Sequence, residues 1–350
     1  MGWRKGVDKG SNLRGLNRGP MSIVLQVLGA LVLVVVASDA FTNAVEWMGA
    51  IFGLTRSAVG SVVAAIGSSL PETMVALIAL LVLHDAQSHA IGIGAVLGAP
   101  LMLSTVVFCL IGVTALSRGV KGVPGALQVP VPDTLFGTGL FCATFALALA
   151  ASFVSGLVSH VAAAVLVLGA YALYLAYHLR SDKPEADESP PRLRIAPKLA
   201  QPPLALVITQ LVVALVLTIV ASRWFVASVG LASQTLSISP FLVSVFLTPI
   251  ATELPEVSNV LLWMRRGQDE LGLGNVLGAM MFQTSITCAI AMIATSWQLD
   301  ESARVAAAVA LLSTLFVLGW TALRRRVEPL ALAAGGVFYI GYVAYVIART

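Results

Sequence analysis

Apolar runs of roughly twenty residues, the length a helix needs to cross about 30 Å of hydrocarbon, recur from Met21 to the C-terminal end. In lipid each backbone N–H and C=O must be satisfied within the chain, so runs of this length read as helices. They fall near 22–48, 57–83, 90–114, 133–152, 156–179, 203–226, 239–263, 271–295, 303–323 and 328–348. The sequence therefore predicts an all-α polytopic membrane protein with about ten transmembrane helices. Composition agrees, with 58% hydrophobic and 11% charged residues, whereas a soluble domain is about one quarter charged.

The polar stretch between the fifth and sixth runs, residues 180–202, holds a mixed charge run and several prolines. It divides the chain into a first five-helix half, 21–179, and a second, 203–350, and reads as a solvated connection. Residues 1–20 are basic and glycine-containing with no apolar run, and are expected to be a disordered tail or to precede a true start at Met21. Loops on the linker's side hold thirteen Lys and Arg against three on the other side, the tail set aside. The positive-inside rule then makes the linker cytoplasmic and both termini external, in a bacterial-type plasma membrane. The five basic residues of the tail oppose this assignment.

Two of these runs carry the same unusual triplet. Gly67-Ser68-Ser69-Leu70-Pro71-Glu72 lies in the second and Ala251-Thr252-Glu253-Leu254-Pro255-Glu256 in the seventh. A charged side chain at the bilayer centre costs about 2.5–3.5 kcal/mol on insertion scales, so it persists where a pathway or a bound ion uses it. Proline removes a backbone donor and breaks or kinks the helix, freeing carbonyl oxygens beside the carboxylates. Proline kinks around protonated, packed glutamates are the plainer alternative. Because five crossings separate the triplets, equivalent segments approach the membrane from opposite faces, the pattern of two inverted-topology repeats of five helices with a midplane site between broken helices. Each triplet is followed by a glycine-rich helix start, Gly92-Ile93-Gly94-Ala95-Val96-Leu97-Gly98-Ala99 and Gly272-Leu273-Gly274-Asn275-Val276-Leu277-Gly278-Ala279, where small residues let helices approach closely.

These stretches resemble the alpha repeats of the sodium/calcium exchanger branch of the calcium/cation antiporter superfamily. The resemblance implies that Ser68, Ser69 and Glu72 in one half, and Thr252, Glu253 and Glu256 in the other, coordinate cations. The family's following motif supplies a serine and an amide or carboxylate. Here the serine positions are Ala99 and Ala279, the first amide position is Leu103, and only Gln283 keeps a polar ligand. Glu253 adds a carboxylate where the family commonly has serine. Calcium takes six to eight oxygens, and crowded acids raise one another's pKa, so a proton could replace sodium as counter-ion. The expectation is a secondary antiporter exchanging Ca2+, or a similar divalent cation, for Na+, with H+ as the alternative. The long first and sixth spans would be its moving elements.

No cofactor is expected, and the expected partners are small inorganic cations and lipid, without nucleic acid or an obligate protein. No Gly-x-Ser-Gly serine with a histidine in a span and no Asp-x-x-x-Asp pair point to an intramembrane enzyme. Cys109, Cys142 and Cys288 stand singly in apolar spans and read as packing residues. His84, His89, His160 and His178 lie near span ends and read as solvated. Asp39 and Glu46, late in the first span, read as a tilted helix running into the interface.

Overall fold

The computed structural model describes residues 20–52, 69–83, 85–118, 127–181 and 191–349; side chains of several residues within these ranges, Glu72 and Glu256 among them, fall outside the description. The tail and the first part of the second expected span also lie outside it. Among the described residues all regular structure is helical. In chain order it comprises α1 (Pro20–Ile51), α2 (Leu70–Leu77), α3 (Ala86–Arg118), α4 (Val131–Ala151), α5 (Leu157–Ser181), α6 (Leu204–Leu236), α7 (Pro240–Thr252), α8 (Leu254–Arg266), α9 (Asp269–Ala294), α10 (Glu301–Arg324), α11 (Pro329–Ala333) and α12 (Gly335–Arg349). Eight helices, or helix groups continuous through short breaks, are long and apolar enough to cross a membrane. The shorter α2 and α8 start on the Leu-Pro-Glu triplets and α7 ends just before the second, as proline there requires. The chain is thus a polytopic helical membrane protein.

Burial sorts the long helices into layers. The apolar windows of α3 and α9 are 72% and 78% buried, whereas those of α1, α5, α6 and α12 are a third buried or less. α3 and α9 therefore form the centre and the others face outward. Sequence explains the central position of α3: its glycines remove the side chains that would hold a neighbour off. A Cβ on Gly94 would lie 2.8 Å from the Phe241 carbonyl oxygen, and one on Gly98 would lie 2.7 Å from both the Val245 carbonyl oxygen and Pro249 Cγ. α3 is thereby seated against the backbone of α7. The second half's Gly274 meets nothing within 4 Å among the described residues.

Both central helices widen at corresponding places. α3 contains a π-helical turn at Leu103–Val107 and α9 one at Gln283–Thr287, and Leu103 and Gln283 stand at matching positions after Gly98-Ala99 and Gly278-Ala279. A further π turn, Ile78–Val82, follows α2. Such turns loosen the backbone ladder and recur at functional sites. Each of the two matching turns is met by a hydroxyl from the other half of the chain. Ser313 on α10 donates to the Ser104 carbonyl at 2.6 Å, and Thr144 on α4 lies 3.4 Å from Thr284.

α1 and α6 pack along one another. At 32 and 33 residues and 1.5 Å rise, each exceeds the hydrocarbon thickness. Residues 191–197 of the linker are seated across the pair, where sequence reading expects only a solvated connection; residues 182–190 lie outside the description. Asn43 donates to the Pro191 carbonyl at 3.0 Å and accepts from the Arg194 N–H at 3.1 Å. Gln210 accepts from the Ile195 N–H at 2.9 Å and donates to the Ala40 carbonyl at 2.8 Å and to Asn43 at 3.0 Å. Trp47 donates its indole N–H to the same Pro191 carbonyl, and Leu193 is fully enclosed. Arg194 forms two hydrogen bonds to the Asp39 carboxylate, at 2.8 and 3.0 Å. Asp39 thus anchors the linker. Burial of the Asn43 and Gln210 amides explains the fit, because enclosed amides must find partners and extended linker backbone supplies them.

Candidate cation site

The two Leu-Pro-Glu stretches begin their half-helices in the same way. Ser69 precedes α2 with φ −87° and ψ 5°, and Glu253 precedes α8 with φ −86° and ψ −2°. These are matching positions three residues before Glu72 and Glu256. Both lie in the sparsely populated bridge region, where functional residues are often found. Neither side chain caps the helix it begins, although serine commonly does. Both side chains are fully enclosed. Pro249 has no N–H to give the Val245 carbonyl four residues earlier, so α7 carries a loosened backbone oxygen just before the break.

The partners of these residues converge on the π turn of α9. Gln283 donates its amide N–H to Glu253 Oε1 at 2.6 Å, and its own Oε1 has no hydrogen-bond partner. Thr287 Oγ1 lies 3.2 Å from Thr73 Oγ1, and Thr73 donates to the Ser69 carbonyl at 2.8 Å. Ser69 Oγ is enclosed and without a partner. One widened turn of one helix therefore reaches the residues that open both half-helices, Glu253 through an amide and the Ser69 carbonyl through two hydroxyls. Enclosed oxygens held around a break in the helix ladder are hard ligands, suited to alkali and alkaline-earth cations.

Of the residues expected from sequence, Ser69, Glu253 and Gln283 are brought into this connected cluster. Thr252 is enclosed but directs its hydroxyl back to the Thr248 carbonyl at 2.9 Å. Ser68 lies outside the described residues, as do the side chains of Glu72 and Glu256; their backbones fall in the first turns of α2 and α8. Sequence reasoning misses Thr73 and Thr287. Their signals are a hydroxyl immediately after the first Leu-Pro-Glu and the run Gln283-Thr284-Ser285-Ile286-Thr287, rich in side-chain oxygen for a buried helix.

The central helices are also joined end to end, where Arg118 closing α3 pairs with Asp269 opening α9, and Asp269 accepts the Gln128 N–H at 3.0 Å. Among the described residues no group of three His, Cys, Asp or Glu is placed to hold a metal. His160, expected to be solvated, is instead buried with Nε2 2.9 Å from the Val154 carbonyl oxygen. Cys142 and Cys288 are buried and Cys109 partly so, all as free thiols, consistent with packing.

Comparison with known proteins locates this architecture. The family described as sodium/calcium exchanger protein matches residues 22–180 and 206–350. The inner membrane protein YrbG of Escherichia coli (strain K12) is 25% identical over 308 residues, covering 85% of this chain and 88% of the relative. The putative antiporter CaxA of Alkalimonas amylolytica is 26% identical over 330 residues, covering 90% and 96%. Among solved structures, the H+/Ca2+ exchanger CAX superposes with a TM-score of 0.71 at 16% identity, covering 93% of this chain and 86% of that one. The sodium-calcium exchanger NCX_Mj superposes with a TM-score of 0.55 at 20% identity, covering 92% and 97%. At those identities the structural likeness is one of fold. The matched segments take in nearly everything on both sides of the linker, and the chain belongs to the sodium/calcium exchanger family of the calcium/cation antiporter superfamily.

Proposed function

We propose that this protein is a secondary antiporter that exchanges calcium, or a similar divalent cation, for sodium by alternating access, and not an enzyme. In this reading ten crossings form two inverted five-helix repeats, the linker is cytoplasmic and the termini are external. Glu72 and Glu256, one from each half, hold the divalent ion; Ser68, Ser69, Thr252, Glu253, Gln283 and loosened carbonyls complete its surroundings. The observation that carries the proposal is the matched pair of helix starts. Two half-helices start from enclosed residues with nearly identical dihedrals, which supports an equivalent contribution of each half to one oxygen-lined centre. The relatives' names, a putative antiporter and exchangers of Ca2+ for H+ or Na+, support it.

Uncompensated carboxylates at mid-membrane are costly, so reorientation should require that cations neutralise them; exchange follows from that requirement. The test is isotope-labelled calcium uptake into proteoliposomes under an outwardly directed sodium gradient. Glu72→Gln and Glu256→Gln should each reduce uptake to background, and wild-type flux in either variant would remove the site from consideration.

One observation favours protons as counter-ion. Glu253 is fully enclosed and places a carboxylate, which can take up a proton, where the family commonly has a serine hydroxyl. On that reading a pH gradient alone drives calcium uptake and a sodium gradient does not.

A further inference from the structure

α10 ends in Arg324, and Arg325 and Arg326 follow before α11 begins at Pro329. Its 24 residues span about 36 Å at 1.5 Å each, slightly more than the hydrocarbon thickness of about 30 Å, so the three arginines emerge at the level of lipid phosphates. Leu323 and Leu330, on either side of them in the chain, are 84% and 67% exposed, which suits acyl chains and not water. One turn before the helix end stands Trp320, a residue type concentrated at the membrane–water boundary.

Packing holds this turn in place. Glu328 is buried; its Oε2 accepts the Trp320 indole N–H at 2.7 Å and its Oε1 accepts the Arg326 Nε–H at 2.7 Å. Both carboxylate oxygens are thereby engaged and Arg326 is neutralised. Arg324 stands over the Trp320 ring at 5.2 Å from its centre, and among the described residues no ion pair involves Arg324 or Arg325. α11 is seated on the central helix α3, where a Cβ on Gly112 would lie 2.5 Å from the Ala333 nitrogen. The Leu127 N–H donates to the Val327 carbonyl at 2.8 Å, and the neighbouring Gln128 leads to Asp269 and its partner Arg118. That chain of contacts brings the exposed Arg265 and Arg266, which close α8, to the same end of the bundle, with exposed Glu270 as the opposing charge there.

We propose that the α10–α11 turn is a docking site for an anionic phospholipid, with Arg324 and Arg325 meeting its phosphate and Leu323 and Leu330 its acyl chains. The inference is independent of the antiport reading. Charge and depth together select the occupant. Guanidinium groups pair with phosphate oxygens through parallel N–H donors, and the two that carry no carboxylate partner sit between exposed leucines at headgroup height. A zwitterionic lipid presents the same phosphate with its charge cancelled, and a soluble phosphate leaves the leucines uncovered. Arg349 supplies the contrast: it too stands over an aromatic ring, Tyr345, but its charge is met by Glu301 at 2.8 Å, at the other end of α10.

The test uses the purified full chain in neutral detergent, titrated with phosphatidylglycerol, phosphatidylcholine or soluble glycerol phosphate. Bound lipid is counted by native mass spectrometry, and thermal unfolding is followed in the same mixtures. The wild type should bind phosphatidylglycerol more tightly than phosphatidylcholine and be stabilised by it, less so at high salt, with glycerol phosphate having no effect. The ratio of the two lipid affinities should fall about fivefold for Arg324→Gln or Arg325→Gln and further in the double variant, the attraction expected of one basic residue at an anionic surface. Arg349→Gln should keep the wild-type ratio. Equal affinity for the two lipids in the wild type, an undiminished ratio in the double variant, or equal stabilisation by glycerol phosphate would each overturn the lipid site; melting in phosphatidylcholine reports folding of every variant separately.

Discussion

Replacing Gly98 by alanine adds a single methyl group where α3 rests on α7. Its Cβ would stand 2.7 Å from the Val245 carbonyl oxygen and from Pro249 Cγ, and 3.1 Å from Val245 Cα, against an ordinary contact of 3.4–4 Å. Two of these three atoms are backbone and the third is in a proline ring, so none can swing aside and the helices must part. Overpacking of this kind costs about 1–3 kcal/mol, offset by about 1 kcal/mol of helix propensity gained on replacing glycine. Gly169 on α5 supplies the control, since a Cβ there meets nothing within 4 Å among the described residues and only the propensity gain applies. The two alanine variants should therefore differ by about 1–3 kcal/mol, or several degrees in melting temperature at about 2–4 °C per kcal/mol. Thermal unfolding of the purified protein in detergent measures this, and cation flux in proteoliposomes should fall in Gly98→Ala alone, because the displaced segment of α7 leads into Thr252 and Glu253. Coincident melting curves with equal flux would refute the claim that backbone contact sets the position of α7.

Two further outcomes follow from the polar contacts. Asn43→Ala should cost about 1–3 kcal/mol by leaving enclosed linker groups unmet, whereas Asp39→Asn should cost less than about 1 kcal/mol because the Arg194 pair is half exposed; limited proteolysis of the linker should speed up in the first variant and hardly change in the second. Asp85 caps α3, accepting the Ser88 hydroxyl at 2.6 Å and its N–H at 2.9 Å, and the Ser88 side-chain hydrogen bond, then its backbone hydrogen bond, holds the carboxyl below its ordinary value. A depressed acid stabilises the fold above its unfolded value and loses that contribution as pH falls through the folded one, so Asp85→Ala should be about 1 kcal/mol less stable at neutral pH, with the difference closing in acid; a gap constant across pH would contradict the capping role.

The helical class and the helix starts at both Leu-Pro-Glu stretches are legible because hydropathy and the missing proline donor act locally. Less legible is whatever depends on register or distant contact. A π turn inserts no unusual residue, so Leu103–Val107 and Gln283–Thr287 leave no mark in an apolar pattern, and without them the direction of Thr287 cannot be inferred. Thr73 and Thr287 lie 214 positions apart, and their meeting is decided by how α2 packs beneath α9. The two glycine-rich starts read alike, yet Gly94 is crowded while Gly274 meets nothing within 4 Å among the described residues, because each depends on the surface it faces. In the linker, charge density signals solvent, but the decisive residues are Asn43, Trp47 and Gln210, inside segments otherwise apolar enough to be passed over.

The hydroxyl contacts at the two π turns bear on how such a chain can exist in pieces. Ser313 donates to a carbonyl in the other half, whereas Thr144 and Thr284, each donating to a carbonyl of its own helix, only touch. A polypeptide ending at the linker would leave the Ser104 carbonyl of its widened turn without Ser313, a hydroxyl carried by the remainder of the chain. Severed at the connection and co-expressed, the fragments should find each other; either one made by itself would be left seeking its missing counterpart.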